Sequence, residues 1–202
     1  MRKMIQALAA VAALGVSAVP AAEAFTLSIV PDVSSASVGD AFTVSVMVDG
    51  LTDGTAPSLA AYDLDVQFDA SIVSFQDIAF GAGLDVTGFG SITDHGLTSA
   101  GVLDVFEASL DETADLNALQ GDAFTLFTIT FNALQAGVSN LGLTLQSAST
   151  AEAANLLADS IGTSAVQVAP VPLPAAAWLL LSGLTGAFAI GRRRRDGLSI
   201  PR

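Results

Sequence analysis

Between residues 41 and 68 the chain twice alternates apolar and polar side chains with a period of two. In residues 41–48, Phe42, Val44, Val46 and Val48 fall on one face and Thr43 and Ser45 on the other; in residues 62–68, Leu64, Val66 and Phe68 oppose Asp63, Asp65 and Gln67. That period places side chains alternately above and below an extended backbone, so each segment predicts a strand buried on one side only. Residues 26–30, 72–79, 102–108, 123–132, 138–146 and 163–168 read the same way, separated by Gly, Asp, Asn and Ser turns. Eight or nine short antiparallel strands predict an all-β fold of two packed sheets. One short helix is expected over residues 111–119, with Asp111 as its cap and Leu116 and Leu119 facing inward. Leu156, Leu157 and Ile161 alternatively mark a brief helical turn within residues 151–160. No internal repeat is visible.

The two ends follow different rules. Arg2 and Lys3 precede an apolar run that closes on Ala22-Glu23-Ala24, the basic, apolar and small-residue order of a secretory signal peptide over residues 1–24, cut before Phe25. The competing reading is an uncleaved amphipathic anchor. At the other end, Ala175 to Gly191 counts 17 residues without a charge, about 26 Å as a helix and near the lower limit for crossing a bilayer. Arg192, Arg193, Arg194 and Arg195 follow at once. A single transmembrane helix over residues 175–191, with a basic cytoplasmic tail over 192–202, accounts for this arrangement better than a buried core helix does. Trp178 then falls near the outer headgroups, and residues 25–168 form one exported domain outside the inner membrane.

The charge of that domain excludes several functions. All seven basic residues are Arg2, Lys3, Arg192 to Arg195 and Arg202; removing Glu23 and Asp196 from the 20 acidic residues leaves 18 in residues 25–168, with His95 the one imidazole. No cation is available to neutralise phosphates, so nucleic acid is excluded as a partner. Mutual repulsion predicts a fold that gains from salt or from divalent cations. With no cysteine, stability must come from burial, whatever the redox compartment.

Val171-Pro172-Leu173-Pro174-Ala175, then the apolar segment, then the arginine cluster, resembles the VPLPA variant of the PEP-CTERM sorting signals of Gram-negative bacteria. The resemblance covers about the last thirty residues and departs from the family only in the extra tail from Asp196 to Arg202. It implies an exosortase-like membrane enzyme as a partner, a membrane-anchored precursor, and a product released or transferred to the cell surface or outside, often beside exopolysaccharide. Residues 169–174 would be the Pro-rich linker and motif, kept extended by Pro170, Pro172 and Pro174. An LPxTG-type signal fits worse, since Leu173-Pro174 is followed by three alanines.

The strand segments carry a second resemblance. Val38-Gly39-Asp40-Ala41-Phe42-Thr43-Val44, then residues 61–69 reading AYDLDVQFD, Ile72-Val73-Ser74-Phe75, and residues 124–131 reading FTLFTITF are similar to cohesin domains. This implies a jelly-roll sandwich and a protein-interaction or adhesion module. In cellulosomes, cohesins bind calcium-loaded dockerins; related modules occur in bacteria without cellulosomes. No binding residue carries over from the family to a numbered position here.

Chemistry beyond binding has little to build on. A Cys or Lys nucleophile and a phosphate-binding loop are impossible in residues 25–168, which contain neither Cys nor Lys. A triad would have to use His95, in the polar turn-like stretch of residues 91–96. Eighteen acids form carboxylate pairs by accident, and the glycines at 81, 83, 88 and 90 complete no dinucleotide fingerprint. Calcium is the candidate cofactor: Asp63 and Asp65 share a strand face and Asp69 ends that strand, with Asp111, Glu112 and Asp115 a second cluster. A plainly solvated polar face is the simpler reading of both. A carbohydrate-binding module for exopolysaccharide is the alternative function, but without Trp in the domain, stacking falls to Phe80 or Phe89. The sequence reading is therefore a non-enzymatic surface or matrix protein that binds another protein.

Overall fold

The computed structural model describes residues 24–171. In chain order these form β1 (Ala24–Pro31), β2 (Ser35–Ser37), β3 (Ala41–Asp49), β4 (Leu59–Gln67), β5 (Val73–Phe80), β6 (Ser91–Ser99), β7 (Val102–Ser109), α1 (Thr113–Leu119), β8 (Phe124–Ala133), β9 (Gly137–Thr150), β10 (Leu157–Ile161) and β11 (Ser164–Ala169). One sheet has five strands in the order β10-β1-β3-β8-β5, and the other six in the order β2-β11-β9-β4-β7-β6. The fold is an all-β sandwich. The signal peptide expected over residues 1–24, apart from Ala24 in β1, and the expected tail beyond Val171 lie outside the described residues, among which no helix is long and apolar enough to cross a membrane.

Every strand expected from the alternation is present, because its apolar set has one place to go. Phe42, Val44, Val46 and Val48 of β3 and Leu64 and Val66 of β4 are buried between the sheets, each side chain worth about 1.5–3 kcal/mol against exposure. Phe131 of β8 stacks on Phe42 of the neighbouring β3 at 5.8 Å between ring centroids and reaches across the core to Phe68, just after β4, edge-on at 5.0 Å. Tyr62 of β4 stacks on Phe127 of β8 at 6.0 Å.

Three strands depart from the expectation. Residues 91–96, read above as a turn, belong to β6, a nine-residue edge strand antiparallel to β7. The helical turn expected within residues 151–160 is not formed; Leu157–Ile161 is β10, which runs parallel to β1. Short β2 runs parallel to β11. The helix exists, but only Leu116 is buried, and Leu119 is 59% exposed. Its cap position is Glu112, with no side-chain hydrogen bond, because the Asp111 carboxylate is taken by the backbone N–H of Val86 and Thr87.

Register fixes which loops share an end of the sandwich. Thr26 lies opposite Asp49 and Phe80 opposite Phe127, which gathers the start of β1, α1 and the β5–β6 connection at one end. The Ala169 carbonyl accepts from Val38 N–H, and Gly39 N–H donates to Ala133. The chain therefore leaves β11 toward Val171 at the opposite end.

Candidate functional site

The outward faces of the two sheets differ in chemistry. On the six-stranded sheet, the same alternation that buries Leu64 and Val66 turns Asp63, Asp65 and Gln67 outward. Asp65 lies directly opposite Asp104 of β7, and Asp63 opposite Phe106; on β6, Asp94 faces Phe106. Gln146 of β9 donates through Nε2 to Asp65 Oδ2 at 2.6 Å, and Gln67 Nε2 donates to Thr144 Oγ1 at 2.8 Å. Partial desolvation, followed by the charges of Asp63, Asp65 and Asp94, pushes the Asp104 carboxyl above the usual aspartate range. Asp63 Oδ1 is shielded from solvent and receives no hydrogen bond. The neighbour that can supply one is Asp104, once protonated. Since residues 24–171 contain no Lys or Arg, the face has no internal cation to balance it, and like charges placed opposite one another are destabilising.

The candidate calcium ligands are only partly brought together. Asp63 and Asp65 share this face, but Asp69 lies four residues beyond Asp65, about 13 Å at the rise of a strand. Its Oδ1 accepts from the Ser71 N–H at 2.9 Å and hydroxyl at 2.6 Å. Those bonds hold its carboxyl below the usual range. Calcium needs oxygens within roughly 2.3–2.6 Å of one point, and Asp69 caps a turn instead. In the second cluster Asp111 is similarly engaged: Oδ2 accepts from Val86 N–H at 2.7 Å and Oδ1 from the Thr87 hydroxyl. Among the described residues no group of three or more His, Cys, Asp or Glu is placed to hold a metal ion.

His95 is exposed as expected, but on β6 rather than in a loop. Its ring lies 6.0 Å from Phe75 and 6.3 Å from Phe80, closing the gap between the two edge strands β5 and β6. Phe80, one of the two rings considered for sugar stacking, also packs against Phe127; Phe89 is 75% exposed.

The sequence reading missed Glu107. It is 1% exposed, inside the sandwich, where Oε2 accepts from Tyr62 OH at 2.8 Å and Oε1 from Ser91 Oγ at 2.7 Å. Burial pushes its carboxyl up against the opposing effect of these two bonds, and the charge of Asp85 adds to the rise. Burial first, then Glu107, raises Tyr62 well above the ordinary phenol range. The signal was in the alternation: Leu103, Val105 and Glu107 occupy the same side of β7.

Two packed antiparallel-rich sheets with an open charged sheet face and a buried polar network make up a β-sandwich module. The cohesin domain profile matches residues 27–165. The chain belongs to the cohesin domain family. Among solved structures it is similar to the cohesin module of a family 33 glycoside hydrolase from Clostridium perfringens, with TM-score 0.57, 14% identity, and coverage of 73% of this chain and 98% of that one. It is likewise similar to the sixth cohesin of Acetivibrio cellulolyticus scaffoldin B, solved in complex with a mutant Cel5 dockerin, with TM-score 0.56, 18% identity and coverage of 72% and 99%. A non-cellulosomal cohesin from the archaeon Archaeoglobus fulgidus aligns at TM-score 0.50 and 18% identity over 75% and 96%. At these identities the likeness concerns the fold. No curated protein matches the sequence.

Proposed function

We propose that this chain is a non-enzymatic, exported interaction module that receives a protein partner on the outer face of its six-stranded sheet. The observation that carries the reading is the face itself: Asp63, Asp65, Asp94 and Asp104 stand around Phe106 with no cation of the domain's own. A partner that brings a positive group relieves repulsion already built into the free module. Cohesins of similar fold have been solved with dockerins bound, which supports a protein rather than a glycan as the ligand.

Export and sorting belong to the same proposal. The signal peptide over residues 1–24 delivers the domain across the inner membrane. The motif Val171 to Ala175, with residues 175–191 and Arg192 to Arg195 behind it, retains a precursor until an exosortase-like enzyme cuts it. The span is a marginal anchor by length and contains Gly183 and Gly186, as suits a transient one. The product then resides at the cell surface or in the extracellular matrix.

Cross-linking of the mature protein on its native cells, read by mass spectrometry, tests both parts. The expected cross-links join a second protein to residues on β4, β6 and β7, and are lost on combined Asp63→Asn, Asp65→Asn and Asp104→Asn substitution. The expected C-terminus falls within residues 171–175. Persistence of the cross-links in that variant overturns the face, and a major species running intact through Arg202 overturns the sorting.

A further inference from the structure

The β5–β6 connection holds an aromatic ring out in solvent and holds it firmly. Phe89 is 75% exposed and sits between Gly88 and Gly90, whose φ angles of 76° and 107° are left-handed conformations that glycine adopts without strain. The flanking backbone is pinned from three sides. Gly90 N–H donates to Asp85 Oδ1 at 2.7 Å, Leu110 N–H donates to the Gly90 carbonyl at 3.2 Å, and Asp111 takes Val86 N–H and the Thr87 hydroxyl. Beside the ring is a cleft of about 260 Å³ lined by Thr87, Phe89, Leu110, Asp111, Glu112 and Asp115. Leu110 is 46% exposed. Asp111 is occupied by its loop bonds, whereas among the described residues Glu112 and Asp115 accept no side-chain hydrogen bond and meet no Lys or Arg. The cleft lies at the end opposite the chain's exit toward Val171, so an anchored domain would present it outward.

We propose that this cleft is a second docking site, distinct from the sheet face, for a polypeptide segment that carries an apolar side chain next to Arg or Lys. The apolar group covers Phe89 and Leu110, and the cation lies over the ring and between the Glu112 and Asp115 carboxylates. Charge complementarity selects this occupant: an acidic or neutral segment would leave both carboxylates to be desolvated without a partner. The pinned loop means that little ordering is lost on binding, the condition under which a single exposed aromatic acts as an anchor.

The test titrates the full chain in a neutral detergent with acetyl-Arg-Leu-Arg-Leu-amide, following backbone amides by NMR. The expected result is saturable shifts at Thr87, Phe89 and Asp115, with affinity reduced about tenfold or more by Phe89→Ser and by combined Glu112→Gln and Asp115→Asn, and retained in Phe89→Tyr. The same peptide with Gly for Leu should bind more weakly, and one with Glu for Arg should not bind. Asp63→Asn with Asp65→Asn should change nothing at this cleft, which separates it from the sheet-face reading. Equal binding by Phe89→Ser, shifts confined to β4 and β7, or binding of a neutral oligosaccharide at Phe89 in place of the peptide would each overturn the proposal.

Discussion

The two outer faces of the sandwich come from one strand grammar and differ in how they place their carboxylates. On the five-stranded sheet the outward positions hold Thr26 and Ser28 of β1, Thr43 and Ser45 of β3, and Thr128 and Thr130 of β8, with Asp49 opposite Thr26 and Asp77 opposite Thr130. These hydroxyls satisfy one another across strands, as Ser45 Oγ and Thr128 Oγ1 do at 3.3 Å, or remain hydrated. On the six-stranded sheet the equivalent positions hold Asp63, Asp65 and Asp104, and the opposition of Asp65 to Asp104 costs stability. On the first sheet the outward carboxylates Asp49 and Asp77 each stand opposite a threonine, so no two carboxylates are paired there. What sets the second face apart is the direct opposition of two carboxylates, Asp65 and Asp104, a repulsion that a cationic partner would relieve.

The largest expected effect comes from breaking what the two sheets share. Phe131→Ala empties the contact with both Phe42 and Phe68 and should cost about 3–5 kcal/mol, enough to unfold most of a marginal domain. Its outward neighbour Thr130→Ala should stay within about 0.5 kcal/mol by urea denaturation.

Next in size is the response to salt. With 18 carboxyl groups and no cation in residues 25–168, the melting temperature should rise by several degrees between low and physiological ionic strength. Calcium chloride at matched ionic strength should do no more than sodium chloride, since no set of three carboxylates meets around one point among the described residues. A steep rise at micromolar calcium would contradict this.

The pH profile sharpens the comparison further, because the raised carboxyls Asp104 and Glu107 belong to the six-stranded sheet. A carboxyl whose folded pKa exceeds its unfolded one favours the fold in its protonated form. That stabilisation is full below the ordinary range near 4 and is lost as pH rises through the raised value. Asp69 and Glu152, held low by Ser71 and by Asn117, act oppositely: they stabilise above the ordinary range and lose that contribution as pH falls through their lowered values. Scanning calorimetry should thus find the domain more stable in mild acid than at pH 8, and Glu107→Gln should flatten that slope.

The smallest effect is on the faces themselves. Asp104→Asn should raise stability by about 0.2–1 kcal/mol at low salt, less as ions screen the pair. Thr43→Ala on the other sheet should be nearly neutral. Equal responses at the two positions would erase the contrast between the faces.

By itself the sequence determined the strands that bury one side, since each apolar period of two has a single low-energy placement. Phe42 to Val48 and Leu64 to Phe68 are the clearest instances. It also determined the charge of the domain, on which the expectation against a nucleic-acid partner rests. The position of Asp63 and Asp65 on one face followed from the same periodicity. Only tertiary structure decided the rest. β6 has eight exposed residues after Ser91, so no buried period marked it, and its backbone became a strand through pairing with β7. β10 and β2 exist because β1 and β11 offer them parallel edges, partners more than a hundred residues away in the chain. Asp111 and Asp69 left the roles their spacing suggested because nearby N–H and O–H donors claimed their oxygens. Phe89 gained its exposed position from glycines and carboxylates that meet only in the folded chain. The physical reason is common to all of these: local pattern reports what must be buried, whereas hydrogen-bond partners and sheet edges are supplied by segments distant in sequence.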